Sequence, residues 1–502
     1  MNFFRKNNNG KVVLIFVIIL VVLALVGSVS AYVYFKLNVK EEIIDDTNKK
    51  EFFYYLANTN IEKILNTDEY VNIINRVENE NNETATTVSI NTNKNMWNGY
   101  DLNKATLEYS TKKDVGNSLN FADIKLKYAN NDIISVQEIK ENNKFAIKSD
   151  EIVNKYVGLD LNNLKDVLKK IGVITAVSIP ENFDDIKFGE FLYLDGEYKE
   201  SVKNKYKDYL YTQITPEKFN VQRDVIVNVD NKSYTTLAYN VVLNENEFKN
   251  LYVNILNEIK NDDELINTIA QKFQIIENKN ITQDKIKSRI QKYIDEANSQ
   301  DTNDNEKMKL TLYINEENVI KIRCDIYNQA DIEVDFISDN SLNKINITYL
   351  ENTTEEKNGI NINIKRDAQN NLALDIGYIS NGEVNKKIII NFNIDGNSTS
   401  ATIKNNLEIS YKDSENNTVV RIENKVNFGN VNIDKLTDDN CLFLDSLSDE
   451  DLLLVRNSII EKVVTVYKEK ITTLNIINNN MQSTVISLPE QNGGNEENNI
   501  EQ

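Results

Sequence analysis

The chain has 502 residues, with 57 Lys+Arg against 77 Asp+Glu for a formal net charge of −20, two cysteines and no histidine. This balance argues against nucleic-acid binding and against adhesion to anionic membrane surfaces, both of which depend on clustered basic side chains. Two cysteines cannot build a disulfide framework or a four-thiolate metal site, and the lack of histidine removes the usual general base, the commonest metal ligand and the physiological-pH switch together.

Arg5, Lys6 and Lys11 precede an apolar run from Val12 to Phe35 that contains no charged residue. As a helix rising about 1.5 Å per residue it spans about 36 Å, enough for a hydrocarbon core of about 30 Å. Residues 12–35 are therefore expected to form a single transmembrane helix whose partner is the lipid bilayer. The positive-inside bias places the basic start, residues 1–11, in the cytoplasm and everything after the helix outside it. Val29-Ser30-Ala31 also fits a signal-peptide cleavage site, so secretion after cleavage at Ala31 is the alternative. Apolar character continues through Tyr32, Val33, Tyr34 and Phe35, which favours an uncleaved signal anchor. With the three basic residues of the start removed, 54 Lys+Arg face 77 Asp+Glu, a charge of −23 on the outer region.

Residues 36–50 read as a charged juxtamembrane spacer. Phe52-Phe53-Tyr54-Tyr55-Leu56 and two short helical patterns ending near Val77 are expected to cap a first α+β domain over 51–215. From Thr84 the apolar period becomes two, as in Thr86, Val88, Ile90 and Ala122, Ile124, Leu126, Tyr128. Five such segments through Ile147 predict an antiparallel meander with one polar face. Leu164, Val167, Leu168 and Ile171 then stand at helical spacing, with Gly172 as a left-handed cap.

Residues 216–300 are expected to form a hairpin plus helices. The strands are Val221–Val229 and Ser233–Leu243, turning at Asp230-Asn231-Lys232. A stripe of Phe248, Leu251, Tyr252, Ile255 and Ile259 follows, capped by Asn244 or Asn246, and two further helices come after it. Residues 301–477 predict a large antiparallel sheet: nine alternating segments from Met308 to Ile422, joined by short Asn/Asp/Gly turns. Its apolar face needs a cover. The long C-terminal amphipathic helix, capped by Ser448 with Asp451 and striped by Leu452, Val455, Ile459, Val463 and Val466, is the candidate. Residues 478–502 are polar and expected to be disordered. The fold class is thus α+β, with β-meander sheets and packing helices behind an anchor.

Cys324 lies on the apolar face of Ile320, Ile322 and Ile326, so a buried free thiol is favoured over pairing with Cys441. Ser110-Thr111-Lys112-Lys113, Ser338-Asp339-Asn340 and Lys357-Asn358-Gly359 imitate the order of penicillin-binding elements. The nucleophile of that set must open a buried helix, however, whereas Ser110 ends a strand. Asp301, Asn303 and Asn305 start like a calcium loop, but Glu306 and Leu312 replace its glycine and its bidentate glutamate. Asp184-Asp185, Asp262-Asp263 and Asp438-Asp439 suit helix starts. No catalytic, cofactor-binding or metal-binding set emerges, and the chain is expected not to be an enzyme.

The basic start and anchor from Arg5 to Phe35, the segment Phe145-Ala146-Ile147-Lys148-Ser149-Asp150-Glu151-Ile152 and the helix Leu447–Lys470 resemble membrane-anchored envelope proteins of low-GC Gram-positive bacteria. No activity comes with that resemblance. A large curved sheet covered by helices is also similar to the half-barrels that carry lipoproteins or glycolipids in bacterial envelopes. The expectation is a non-enzymatic outer module that binds or scaffolds an envelope component, a lipid or a protein partner, with a carboxylate-based wall enzyme or a purely structural interaction protein as alternatives.

Overall fold

The computed structural model describes residues 46–57, 59, 68–94, 96–97, 99–172, 196–277, 282–299, 302, 304–338, 342–351 and 357–485. The expected transmembrane helix Val12–Phe35, its flanking Arg5, Lys6 and Lys11, and the cleavage position Ala31 lie outside these residues. Among the described residues no helix is long and apolar enough to cross a membrane.

The fold is α+β and divides into two compact units, each discontinuous in sequence. One unit combines the chain up to Asn79 with Asn182–Asn417, the other Glu80–Glu181 with Thr418 onward. These units cut across the contiguous blocks 51–215, 216–300 and 301–477 read from composition and period. The physical reason is a strand pairing that local pattern cannot show, described below.

Helices α1 (Thr47–Ala57) and α2 (Asp68–Asn79) belong to the first unit. The chain then builds most of the second: β1 (Asn82–Thr92), the short pair β2 (Met96–Trp97) and β3 (Tyr100–Asp101), β4 (Ala105–Asp114), β5 (Leu119–Tyr128), β6 (Asn131–Glu141), β7 (Lys144–Lys148), β8 (Tyr156–Asp160) and α3 (Leu164–Lys170). It returns to the first unit with α4 (Gly196–Gln213), β9 (Phe219–Val229), β10 (Lys232–Asn244), α5 (Glu245–Asn261), α6 (Asp263–Glu277) and α7 (Gln283–Asn298). Strands β11 (Glu306–Asn315), β12 (Asn318–Ile326), β13 (Ala330–Ser338), β14 (Leu342–Glu351), β15 (Gly359–Asp367), β16 (Leu372–Ser380), β17 (Glu383–Asp395) and β18 (Thr402–Lys412) follow. The second unit is finished by β19 (Asn417–Phe428), β20 (Cys441–Phe443) and α8 (Asp449–Val485). The spacer expected over 36–50 therefore ends inside a helix, and α8 runs past the expected boundary at 477; the tail from 486 lies outside the described residues.

In the second unit β1, β4, β5, β6 and β7 form the five-stranded antiparallel meander expected from the alternation, extended by β8. β19 then lies antiparallel along the whole free side of β1, from Asn82 opposite Phe428 to Thr92 opposite Thr418. β20 adds in parallel to β8. The ninth of the alternating segments thus leaves the large sheet's unit. Gly158 in β8 is required by packing: a Cβ there would stand 2.6 Å from Ala146 Cβ and 3.0 Å from Cys441 Sγ.

In the first unit β9 through β18 pair antiparallel in chain order, apart from the helical insertion between β10 and β11. Asp230 and Asn231 both take positive φ in the β9–β10 turn, the mirror-image turn whose twist suits a hairpin. This end of the sheet is strongly curled, because Lys344 on β14 reaches Asp230 at 3.0 Å. Asn244 caps α5 with a reciprocal Glu247 bond, a full capping box.

The apolar face of β10–β14 packs under α1, α4, α5 and α7 in one core that includes Tyr252, Ile255, Leu312 and Ile326. Phe52 and Phe53 are each 2% exposed and stack edge-on with Phe219 and Tyr211. The aromatic cluster expected to cap a domain over 51–215 therefore packs at the hairpin end of the large sheet, in the first unit. A correction concerns α8, expected as the cover of the large sheet but grouped with the other unit. It joins the second unit, where Leu452 is buried with Leu159 and Val167. The helix is apolar on more than one side: Val463 of the expected stripe is 42% exposed, and Leu453, Ile460 and Tyr467 form a further exposed row.

Candidate functional site

Beyond the helices, β15–β18 carry a different chemistry on each face, because successive side chains of a strand point opposite ways. One face holds isoleucines, with Ile388, Ile409 and Tyr411 between 36% and 40% exposed. The other is polar. Register aligns Thr348, Asn361, Gly377, Lys387 and Lys412 in one row across five strands, and Asn346, Asn363 and Asp375 in the next. The amides interlock: Asn361 Nδ2 donates to Asn346 Oδ1 at 2.8 Å and to Thr348 Oγ1 at 2.9 Å, and Asn363 Nδ2 donates to Asn361 Oδ1 at 2.6 Å.

An open cavity of about 500 Å³ sits on this polar face, with Asn361, Asn363, Asp375 and Gly377 among its walls and Lys386, Lys387 and Lys412 contributing the cations. Two local features shape it. Gly377 leaves the floor without a side chain, and a Cβ there would stand 2.9 Å from Val384 Cγ1. A break in register between Tyr378 and Ile379 bulges β17 near Asn385, which brings Val384, Asn385 and Lys386 to the rim.

Both aspartates of the cavity are already engaged. Asp375 pairs with Lys387 at 3.2 Å. Asp413 accepts from the side chain of Asn416, the backbone N–H groups of Glu415 and Asn416, and the Tyr411 hydroxyl. The Asn416 side chain first, then the backbone donors, hold the Asp413 carboxyl well below the usual carboxylate range. Lys386 and Lys412 make no ion pair among the described residues. Three lysines against two aspartates leave the lining net positive in a chain whose charge is −20.

Toward β12 and β13 the same polar face carries a paired cluster. Lys321 Nζ lies 2.8 Å from Glu333 and 3.3 Å from Asp335, and Arg323 lies 3.3 Å from Glu333. Burial pushes the Asp335 carboxyl up, with Lys321 opposing it. A second cavity of about 500 Å³ lies in the other unit, between α3 and the start of α8, where Lys170 pairs with Asp449 at 2.9 Å and Asn163 donates to Asp445 at 3.0 Å.

The motifs singled out from the sequence are dispersed. Ser110 lies within β4 opposite Ala85 and Asp123, while Ser338 ends β13 in the other unit, and Asp339 and Asn340 lie outside the described residues. Asp301, Asn303, Asp184 and Asp185 also lie outside them. Asp262 does start a helix, accepting from the Leu265 N–H at 3.0 Å, whereas Asp438-Asp439 occupy a turn before β20. Cys324 and Cys441 are free and buried in different units, and burial pushes their thiols up to about 12 and about 11. Among the described residues no group of three His, Cys, Asp or Glu is arranged to hold a metal ion. The cavity residues were missed, although alternation alone assigns Asn361, Asn363 and Asp375 to the polar face; the register that gathers them is not a local property.

A family model described as a family of unknown function, DUF6583, matches residues 5–486. The chain belongs to that family. Among curated proteins none matches. Solved structures give faint likenesses. A structure described as asymmetric conductivity of engineered proteins is 7% identical, covering 69% of this chain and 99% of that one at a TM-score of 0.11. The Trp-176-Ala mutant of the vaccine antigen Transferrin Binding Protein B from Haemophilus parasuis Hp5 is 9% identical, covering 70% and 76% at a TM-score of 0.10. Likenesses of that size carry no argument for fold or function.

Proposed function

We propose that the chain is a non-enzymatic, membrane-tethered module that binds a polar polymer of the cell envelope in the β15–β18 cavity, with Val12–Phe35 as a single-pass anchor. The observation that carries this reading is the cavity, within the size range of ligand sites and walled by interlocked amides and lysines. Carboxylate chemistry has less support: Asp335 and Glu333 share Lys321, and Glu333 is also held by Arg323, whereas glycoside hydrolysis needs two carboxyl groups free to act on a substrate from either side. The test is calorimetric titration of the full chain in detergent micelles with soluble wall-glycan fragments. Binding that a Gly377→Val substitution abolishes supports the reading, and no binding by any fragment defeats it.

A lipid ligand is the second reading, favoured by the exposed Ile388, Ile409 and Tyr411 on the opposite face. Mass spectrometry of the purified protein distinguishes the two. Co-purifying lipid that is lost on Ile409→Asp supports the lipid reading, and lipid-free protein removes it.

A further inference from the structure

The geometry points to an anion site within this cavity: Lys412 and Lys387 together seat a phosphate or carboxylate group carried by the ligand. This inference rests on the cavity being a binding site for a polar polymer and specifies the ligand's charge.

Three observations converge on it. Lys387 and Lys412 stand directly opposite one another in the β17–β18 ladder, on the same face. Like charges in that arrangement repel, so the pair is unfavourable unless an anion lies between them. One anion is present, but it reaches only one lysine: Asp375 lies 3.2 Å from Lys387. Asp413, the chain neighbour of Lys412, faces five donor contacts from its own turn and is not directed at that ammonium group. Lys412 is therefore left without an acceptor among the described residues, beside a cavity of about 500 Å³.

The surroundings supply the rest of an anion cradle. Asn363 and Ser414 line the same space as neutral donors, Asn361 forms a neutral wall with both its amide hydrogens already given to Asn346 and Thr348, and Gly377 keeps the floor open between Asn361 and Lys387. Lysine holds such a group as a mobile point charge, so the site selects negative charge more than the planar geometry that arginine would impose. The acidic surface elsewhere opposes a long polyanion, and the arrangement fits a ligand whose charges are spaced apart along a neutral, hydroxyl-rich backbone.

The experiment titrates the full chain in detergent micelles with three probes: chitotetraose as a neutral glycan, tetragalacturonate as a carboxylate glycan, and inorganic phosphate. The expected result is binding of the anionic probes, weakened by Lys412→Ala roughly tenfold or more, as for loss of a hydrogen bond to a charged group. Lys412→Arg should retain most of the affinity. Lys404→Ala, which removes a lysine of the same strand paired with Asp395, should leave it unchanged. Stronger binding of phosphate than of tetragalacturonate assigns the group as a phosphate, and the reverse assigns a carboxylate. Binding of chitotetraose alone, unaffected by Lys412→Ala, overturns the anion site while leaving the proposed function standing. Failure of all three probes overturns both.

Discussion

Substituting Asp262 tests how the helical layer of the first unit is held. Its carboxylate accepts from the Lys205 ammonium at 2.9 Å, the Tyr206 hydroxyl at 3.0 Å and the Leu265 backbone N–H at 3.0 Å. Tyr206 is only 5% exposed, so Asp262→Ala strands a buried hydroxyl, which costs about 1–3 kcal/mol. The same change removes the side-chain cap of α6, worth about 1 kcal/mol. The Lys205 side chain is 44% exposed and solvent screens its pair, so that contact adds at most about 1 kcal/mol. Asp262→Ala should therefore cost about 3 kcal/mol. Asp262→Asn keeps an acceptor for the Leu265 cap and turns its amide N–H toward the Tyr206 hydroxyl, which can accept instead of donating, so it should cost about 1–2 kcal/mol.

The deficit of the asparagine variant should also depend on pH. Burial opposes ionisation of Asp262, but the Leu265 N–H and the Lys205 and Tyr206 side chains outweigh it, so its folded pKa lies below the unfolded value. A depressed carboxyl contributes stability that is present above the unfolded pKa and is lost as pH falls through the folded one. The gap between wild type and Asp262→Asn should thus be full at pH 6 and close on acidification below about pH 4. Urea denaturation followed by circular dichroism measures both quantities. Equal costs for the alanine and asparagine variants, or a gap that widens in acid, would refute the reasoning.

Gly158→Ala should destabilise the second unit by about 1–3 kcal/mol through overpacking against Ala146 and Cys441, and Ala146→Gly should recover part of that loss in the double variant; additive costs in denaturation would contradict the contact. Glu317→Gly should stabilise the protein by about 0.5–1 kcal/mol, because Glu316 and Glu317 hold φ of +47° and +66° in the β11–β12 turn without the benefit of glycine; a lower urea midpoint would count against it. Cys324 and Cys441, with buried thiols raised above the ordinary range, should resist alkylation at pH 8 until denaturant is added, and fast labelling of the native protein would contradict their burial.

Much of the fold was legible wherever a segment's own period decided the outcome. The alternation of Ala122, Ile124, Leu126 and Tyr128 gave β5, the Asp230-Asn231 pair gave its hairpin, and Asn244 with Glu247 announced the start of α5. What failed depended on distant partners. Leu452, Val455 and Ile459 announce an amphipathic helix, yet nothing in their spacing says which sheet receives it. Phe52 and Phe53 announce burial but not their contacts with Phe219 and Tyr211. The cavity was hidden for the same reason. Lys387 and Lys412 are ordinary polar positions of two strands until a register sets them opposite each other.

The pairing of β1 with β19 bears on how the chain is made. Thr92 and Thr418, joined by a hydroxyl contact of 2.8 Å, are 326 residues apart, so β1 waits through the synthesis of the entire large sheet before its second neighbour exists. An open strand edge is a template for wrong partners, and the entropy of closing so long a loop makes the correct one slow to arrive. The second edge of β1 is therefore completed only if the intervening chain folds without pairing to it first. A deletion within β11–β18 should then impair the pairing of β1 with β19, first as aggregation during synthesis and only second as lost stability.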